Sequence, residues 1–153
     1  MKYIKDNKHE QIRLEKLITK MKKDQHVAVG ILQDEKIDDK FSLVDLATTH
    51  EYGSKDRHVP SRSFIRSTCD AQYQEHVKLM GKLQDQVITG KLQIKQALTR
   101  LGEVVSKDMV QTINRGISPS LKSATIKRKK SSKALIDTGR LKGSITHEVR
   151  GTT

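Results

Sequence analysis

The sequence predicts an α+β fold in which a small antiparallel sheet packs against two or three long helices. The first observation is the helical spacing of apolar residues over two consecutive stretches, 62–88 and 92–116. The second is a pair of short segments, 26–33 and 143–149, that are rich in β-branched residues and lie far apart in the chain. Two long helices joined by a short turn should pack antiparallel, and pairing of the two short segments would bring the chain ends together.

The chain before the first strand reads as a separate amphipathic helix over residues 6–24. Its apolar side carries Leu14, Leu17, Ile18 and Met21. We therefore divide the chain into a basic N-terminal helix, residues 1–25, and a single α+β domain, residues 26–153. In the first strand Gly30 marks a candidate bulge, and the charged residues 34–40 predict a turn.

The next predicted unit consists of a helix, an exposed polar loop and the start of a long helix. Gly53 should end the first helix, because glycine enters a left-handed cap without steric cost. The charged loop 54–58 follows it. Ser61 is the predicted N-cap of the long helix, and Phe64 and Ile65 should turn inward just after it.

Each long helix carries an apolar stripe that the sequence assigns to the core. In the first helix the stripe consists of Tyr73, Val77, Met80, Leu83 and Val87. In the second it consists of Ile94, Leu98, Leu101, Val105 and Met109. Gly116 should close the second helix in a left-handed cap.

The last quarter of the chain, residues 117–153, is strongly basic. It holds nine basic residues against Asp137 and Glu148, so it carries +7 (9 − 2) of the net charge of +12. A mobile basic loop is expected near 127–133, and both a solvated loop and a polyanion-binding segment are open interpretations. Residues 134–141 predict a short helix or a turn. The candidate DNA or partner contacts are Lys127, Arg128, Lys129, Lys130 and Lys133.

Length and composition limit the class of protein. A chain of 153 residues fits one domain, and an aromatic content of 3% without Trp predicts an aliphatic core. The single Cys69 cannot form an internal disulfide, which fits a reducing cytoplasm. No run approaches the ~20 apolar residues of a membrane span, and no signal-peptide core is present, so we expect a soluble chain without a membrane partner.

Motifs that resemble catalytic or metal sites are incomplete. Residues 137–139 have the Asp-Thr-Gly pattern of a retroviral-type aspartic protease, but too little chain follows to build the flap and dimer interface. His50-Glu51 lacks the second histidine of a zincin helix, and His58 has no Cys or carboxylate spaced to complete a metal set. Cys69 lies in a helix without a recognisable triad partner. We therefore expect no catalytic residue, no metal and no cofactor.

Three blocks of sequence follow one another in a fixed order. An apolar-x-x-His-Glu-aromatic-Gly block is matched by Ala47 and by residues 50–53. A Pro-x-Arg-x-Phe-aliphatic-Arg block is matched by Pro60, Arg62, Phe64, Ile65 and Arg66. A Leu-aliphatic-Asp-Thr-Gly-x-Leu-x-x-Ser-Ile block is matched by residues 135–139, Leu141, Ser144 and Ile145. Together they resemble a family of phage virion-morphogenesis proteins, variously called neck, head–tail joining or tail-completion proteins, many of them encoded by prophages. The resemblance covers residues 27–149 and leaves out the N-terminal helix.

The resemblance implies structural work and no enzymatic activity. Such proteins look like small α+β subunits that form a ring between the DNA-filled head and the tail. The implied partners are copies of the same chain, other phage head, neck or tail proteins, and DNA contacted without sequence preference. The resemblance is also compatible with a monomer in solution. The implied location is the cytoplasm of the bacterial host during assembly, and then the virion. The candidate intersubunit or partner contacts are His50, Glu51, Lys55, Arg57, His58, Arg62 and Arg66.

Two other classes of function are alternatives for a chain with this sequence. A nucleic-acid-binding phage or host regulator fits the basic charge, but no helix-turn-helix pattern places a recognition helix, and lysine outnumbers arginine in the basic run. An enzyme such as a hydrolase should carry a nucleophile–base pair or paired acids, and the sequence shows neither.

Overall fold

The computed structural model describes residues 8–39, 41–120 and 139–151, and over these ranges the fold is α+β. The helices are α1 (Lys8–Met21), α2 (Leu43–Tyr52), α3 (Ile65–Ile88), α4 (Ile94–Arg115) and the short α5 (Arg140–Gly143). The strands are β1 (Gln25–Ile31), β2 (Lys36–Asp38), β3 (Phe41–Ser42) and β4 (Ile145–Gly151). The long helices and the terminal strands therefore confirm the predicted elements, with boundaries that differ by a few residues.

Strands β1 and β4 form an antiparallel two-stranded sheet. Their register runs without a shift from Gln25 opposite Gly151 to Ile31 opposite Ile145, which confirms the predicted pairing. Gly30 lies in register opposite Thr146, so the predicted bulge is wrong. Residues 34–40, predicted as a turn, include β2, which pairs with β3 in a second two-stranded sheet.

Helix α4 supports the terminal sheet through a close approach at Gly102. A Cβ atom at this position would lie 2.7 Å from Cδ2 and 2.8 Å from Cβ of His147 on β4. Only glycine lets the helix and the strand come this near, because any side chain would overlap the imidazole ring.

Helices α3 and α4 pack antiparallel, as predicted. Two polar contacts between them run in opposite directions along the chain: Thr68 Oγ1 lies 2.7 Å from Thr112 Oγ1, and His76 Nε2 lies 2.9 Å from Asp108 Oδ2. The described residues form two apolar clusters. The first consists of Ala47, Phe64, Ile113 and Leu141, and the second of Leu83, Val87, Leu92 and Ala97.

The core stripe predicted on α3 is wrong over its first three positions. Tyr73, Val77 and Met80 are exposed, whereas Leu83 and Val87 are buried. Sequence periodicity finds an apolar side of a helix, but it does not show what covers that side. On α4 the predicted stripe is partly confirmed: Met109 is buried, and Ile94, Leu98, Leu101 and Val105 are half-buried.

Candidate functional site

The candidate site is the loop between α2 and α3, and its first determinant is Gly53. Helix α2 starts in a capping box between Ser42 and Asp45 and ends at Tyr52. Gly53 follows with φ 79°, and a Cβ atom there would lie 2.8 Å from the backbone nitrogen of Ser61. Glycine is needed for both the backbone angle and the close approach, so the predicted helix end at Gly53 is confirmed. The predicted left-handed cap is wrong, because ψ at Gly53 is 173° and the chain leaves the helix in an extended direction.

The loop tip is a tight turn that is closed by its own backbone. Ser54 and Val59 exchange two backbone hydrogen bonds, of 2.8 and 2.9 Å. Inside this closure the His58 backbone donates to the Lys55 carbonyl at 3.1 Å, and the Ser54 hydroxyl accepts from the Arg57 backbone at 3.3 Å. The turn is therefore a defined structure that projects exposed side chains at residues 55–58.

Glu51 is buried at the base of this loop, with 6% of its surface exposed. Its carboxylate accepts hydrogen bonds from the Ser63 hydroxyl at 2.5 Å and from the backbone N–H groups of Ile65 and Arg66 at 3.0 Å each. These are among the first N–H groups of α3, which have no acceptor within the helix. A carboxylate at a helix N-terminus also meets the positive end of the helix dipole. Glu51 thus caps α3 from the preceding helix.

The environment of Glu51 keeps its carboxyl ionised. Burial alone raises the pKa of this group, but the hydrogen bonds from Ser63 and from the backbone of Ile65, Arg66 and Phe64 outweigh it. The pKa therefore lies below the ordinary value of 4.5.

The prediction that Ser61 caps the long helix is wrong. Helix α3 begins at Ile65 with Phe64 at the N-cap, where no side-chain capping bond is made. The Ser61 hydroxyl instead donates to the backbone carbonyl of Glu51 at 2.8 Å. A serine shortly before an apolar helical pattern is a typical N-cap in sequence. Here, however, the cap is the carboxylate of Glu51, 14 residues before Ile65.

Arg62 is the second buried charge at the base of the loop, with 5% of its surface exposed. Its Nε donates to the Pro119 carbonyl at 2.7 Å, and its Nη2 donates to the Ser120 carbonyl at 3.3 Å. Its backbone N–H donates to the His50 carbonyl at 2.6 Å. Burial lowers the pKa of Arg62, yet a guanidinium remains charged at physiological pH. Arg62 therefore joins the loop to the segment that follows α4.

The seven candidate contact residues fall into two groups. Glu51 and Arg62 are buried and bonded within the chain, and His50 is half-buried on α2. The exposed candidates are Lys55, Arg57, His58 and Arg66. The guanidinium of Arg57 lies 4.5 Å from the centroid of the Phe41 ring, a cation–π distance that positions this side chain. The other candidates, Lys127, Arg128, Lys129, Lys130 and Lys133, lie outside the described residues.

The described residues do not assemble a recognisable chemical centre. No group of three or more His, Cys, Asp or Glu among them is placed to hold a metal ion. Desolvation of the Cys69 thiol and the negative charges of Asp70 and Glu51 raise its pKa, which disfavours the reactive thiolate. His76 and Asp108 form a half-buried pair between α3 and α4. Over the same ranges no helix is long and apolar enough to cross a membrane.

Comparison with family models, with curated proteins and with solved structures finds no match to this chain.

Proposed function

We propose that this chain is a structural protein of phage virion assembly, a head–tail joining or tail-completion subunit that works as a ring. The observation that carries the proposal is the meeting of the three sequence blocks in one core. Ala47 of the first block, Phe64 of the second and Leu141 of the third belong to the same buried cluster, and Ile65 and Ile145 pack against it. Residues spread over almost 100 positions thus act as one structural unit.

The first two blocks are also joined by polar contacts. Glu51 of the first block caps the helix that the second block starts, and the backbone of Arg62 bonds to the carbonyl of His50. Gly53 lets the two blocks approach closely. These contacts give a physical reason for the blocks to occur together, and so they support the resemblance.

The surface of the chain supports an assembly role. Among the described residues ten hydrophobic side chains are buried, while eleven large hydrophobic side chains are exposed. The exposed ones are available for contact with partners. The loop tip at 55–58, whose base is fixed by Glu51 and Arg62, offers a defined polar surface as well.

A nucleic-acid-binding regulator is the alternative, and the charge distribution favours it. The net charge of +7 over residues 117–153 would attract a polyanion, and that attraction weakens steeply with salt. The same segment could contact DNA in a virion, so sequence preference separates the two functions: a regulator requires it and a structural component does not.

The decisive experiment is electron microscopy of lysates from the phage that carries this gene, with the gene deleted. We expect DNA-filled heads and free tails that have not joined, or tails of aberrant length, and we expect the wild-type gene to restore virions. Intact virions in normal number after deletion would contradict the proposal.

The role of the loop is tested by complementation of the same deletion. Lys55→Glu/Arg57→Glu should fold but fail to restore joining, because both side chains are exposed at the loop tip. Arg100→Glu/Lys107→Glu is the matched control, since it reverses two exposed charges on α4. If both variants restore joining equally well, the loop tip is not part of the interface. The proposed role in assembly would be unaffected by that result.

A further inference from the structure

Strand β4 is an edge strand whose outer side is open over the described part of the chain. The sheet that it forms with β1 has two strands, so each strand is paired on one side only. From Ile145 to Gly151 the backbone of β4 pairs with β1, and it makes no other backbone hydrogen bond to the described residues. At alternate residues the N–H and C=O groups therefore point away from β1. Such a row of groups can pair with a further strand.

This edge lacks the features that usually protect an exposed edge strand. β4 has seven residues, contains neither proline nor lysine, and pairs with β1 without a bulge. The neighbouring helices lie beside β1 instead: α2 contacts β1, and Gln25 of β1 lines the groove between α3 and α4. Among the described residues the outer side of β4 is therefore the accessible edge of the sheet.

Alternate side chains of β4 lie on opposite faces of the sheet. His147 lies against α4, so His147 and Val149 belong to the face that α4 covers. Both are half-buried, and Val149 lies opposite Val27 of β1. The other face is exposed and carries Glu148 and Arg150, whose side chains form an ion pair at 2.9 Å. One face of the edge is thus apolar at its centre, and the other carries one charge of each sign.

We propose that β4 pairs antiparallel with β4 of a second copy, about a two-fold axis at Val149, so that the two sheets join into one sheet of four strands. Residues whose numbers add up to 298 then face each other. Glu148 faces the partner's Arg150, and Arg150 faces the partner's Glu148. On the other face Val149 faces the partner's Val149, so a row of four valines, Val27 and Val149 of each copy, crosses the joined sheet.

The order of charges on β4 selects this occupant and this register. In the proposed sheet each charged side chain has an opposite charge beside it on its own strand and another across the axis. An axis at Glu148 or at Arg150 would instead set two like charges face to face. The exposed face of β1 carries His26, Ala28 and Gly30, so β1 of a second copy would supply no carboxylate for Arg150.

The helices that cover the sheet leave room for this contact. Neighbouring strands are about 4.8 Å apart, so two sheets of two strands each join with a repeat of about 10 Å. Helix α4 contacts both strands of its own sheet, and the two α4 helices would therefore lie about 10 Å apart on one face. This is an ordinary distance between packed helices.

A two-fold contact closes after two copies, so it differs from the head-to-tail interface of a ring. The inference does not rest on the proposed function, because the paired edge depends only on β4. Its test uses the purified chain without phage, so each of the two proposals can fail without the other.

The test is sedimentation velocity of the full chain from about 10 µM to about 1 mM, because a small interface of this kind belongs to the weak class of complexes. The wild type should shift from monomer to dimer. Glu148→Arg and Arg150→Glu should each raise the dissociation constant at least about tenfold, since each sets like charges across the axis. Glu75→Lys is the matched control and should leave the constant unchanged, because it reverses one member of the exposed pair with Lys78 on α3.

Mixing the two charge variants distinguishes a broken interface from a damaged fold. In the mixture the two arginines of the Glu148→Arg chain face the two glutamates of the Arg150→Glu chain. A heterodimer should therefore form at a concentration at which neither variant pairs with itself. Glu148→Arg/Arg150→Glu should pair as the wild type does. The proposal is overturned by a wild type that stays monomeric throughout, by single variants that associate as the wild type does, or by a mixture that stays monomeric.

Discussion

The beginning of α3 and its middle have similar apolar patterns but opposite surroundings. At the beginning, Phe64 and Thr68 are completely buried, and Glu51 caps the helix. Farther along the helix, beginning just over one turn after Thr68, Tyr73 and Val77 are exposed. One helix thus carries an anchored end and an uncovered face.

The difference between these two parts of α3 shows that the spacing of apolar residues identifies the apolar side of a helix. It does not show whether that side is buried. The anchored end is distinguished by polar groups with satisfied hydrogen bonds, which are costly to bury without partners. The uncovered face has exposed apolar side chains but no such polar network among the described residues. Substitutions in the two regions should therefore differ in size and in the property they change.

The largest difference is expected between two aromatic truncations on this segment. Phe64→Ala should lower the free energy of unfolding by about 3–5 kcal/mol, because a fully buried ring is lost and a cavity remains. Tyr73→Ala should change it by less than about 0.5 kcal/mol in the monomer, because the ring is largely exposed. Urea denaturation of the dilute chain measures both values. Comparable losses for the two variants would mean that Tyr73 is covered in the folded monomer.

The second largest loss of stability is expected when the Glu51 cap of α3 is removed. Glu51→Ala should lower the free energy of unfolding by about 2 kcal/mol, the upper range for loss of a helix cap. The carboxylate satisfies two N–H groups at the start of α3, and alanine cannot replace it. Glu75→Ala is the control, because the exposed Glu75 pairs with Lys78 on the helix surface, and we expect little change. Hydrogen exchange at Ile65 and Arg66 should accelerate in the first variant and not in the second.

Acid should weaken the anchored end through the same group. The pKa of Glu51 lies below 4.5 in the folded chain, so its stabilising contribution is present above that value. The contribution is lost as the pH falls from about 4.5 through the lower folded pKa. Glu51→Gln, which cannot ionise, should show a shallower loss of stability than the wild type across this window. Parallel pH profiles for the two chains, measured by urea denaturation, would argue against a pKa depressed by the cap.

The sequence predicts the elements of this fold better than it predicts the site. The lengths of α3 and α4 and the pairing of β1 with β4 follow from local spacing, and so does exposure of the loop at 54–58. The role of Glu51 does not, because its partners begin 12 residues later, at Ser63. Arg62 reaches a carbonyl 57 residues away. Contacts of this kind depend on how α2, α3 and the end of α4 pack together, and no local pattern encodes them.

The smallest effect is expected at Thr68, where the anchored end of α3 meets α4. Thr68 Oγ1 lies 2.6 Å from the Phe64 carbonyl and 2.7 Å from Thr112 Oγ1, and the residue is fully buried. Thr68→Val keeps the shape but removes the hydroxyl, so the free energy of unfolding should fall by about 1 kcal/mol. Thr99→Val is the control, because the Thr99 hydroxyl also bonds to a carbonyl four residues back, at an exposed site.

A double-mutant cycle with Thr112→Val isolates the contact between the two helices. If the hydroxyls bond across the interface, the double variant should be more stable than the sum of the single effects predicts, with a coupling of about 0.5–1 kcal/mol. This outcome would place the end of the anchored region at Thr68, just over one helical turn before Tyr73. Strict additivity would mean that the Thr68 hydroxyl serves only the Phe64 carbonyl. In that case the Glu51 cap and the burial of Phe64 would stabilise the anchored end. The hydroxyl contact between Thr68 and Thr112 would then add no stability, and only apolar packing would join α3 to α4 at this level.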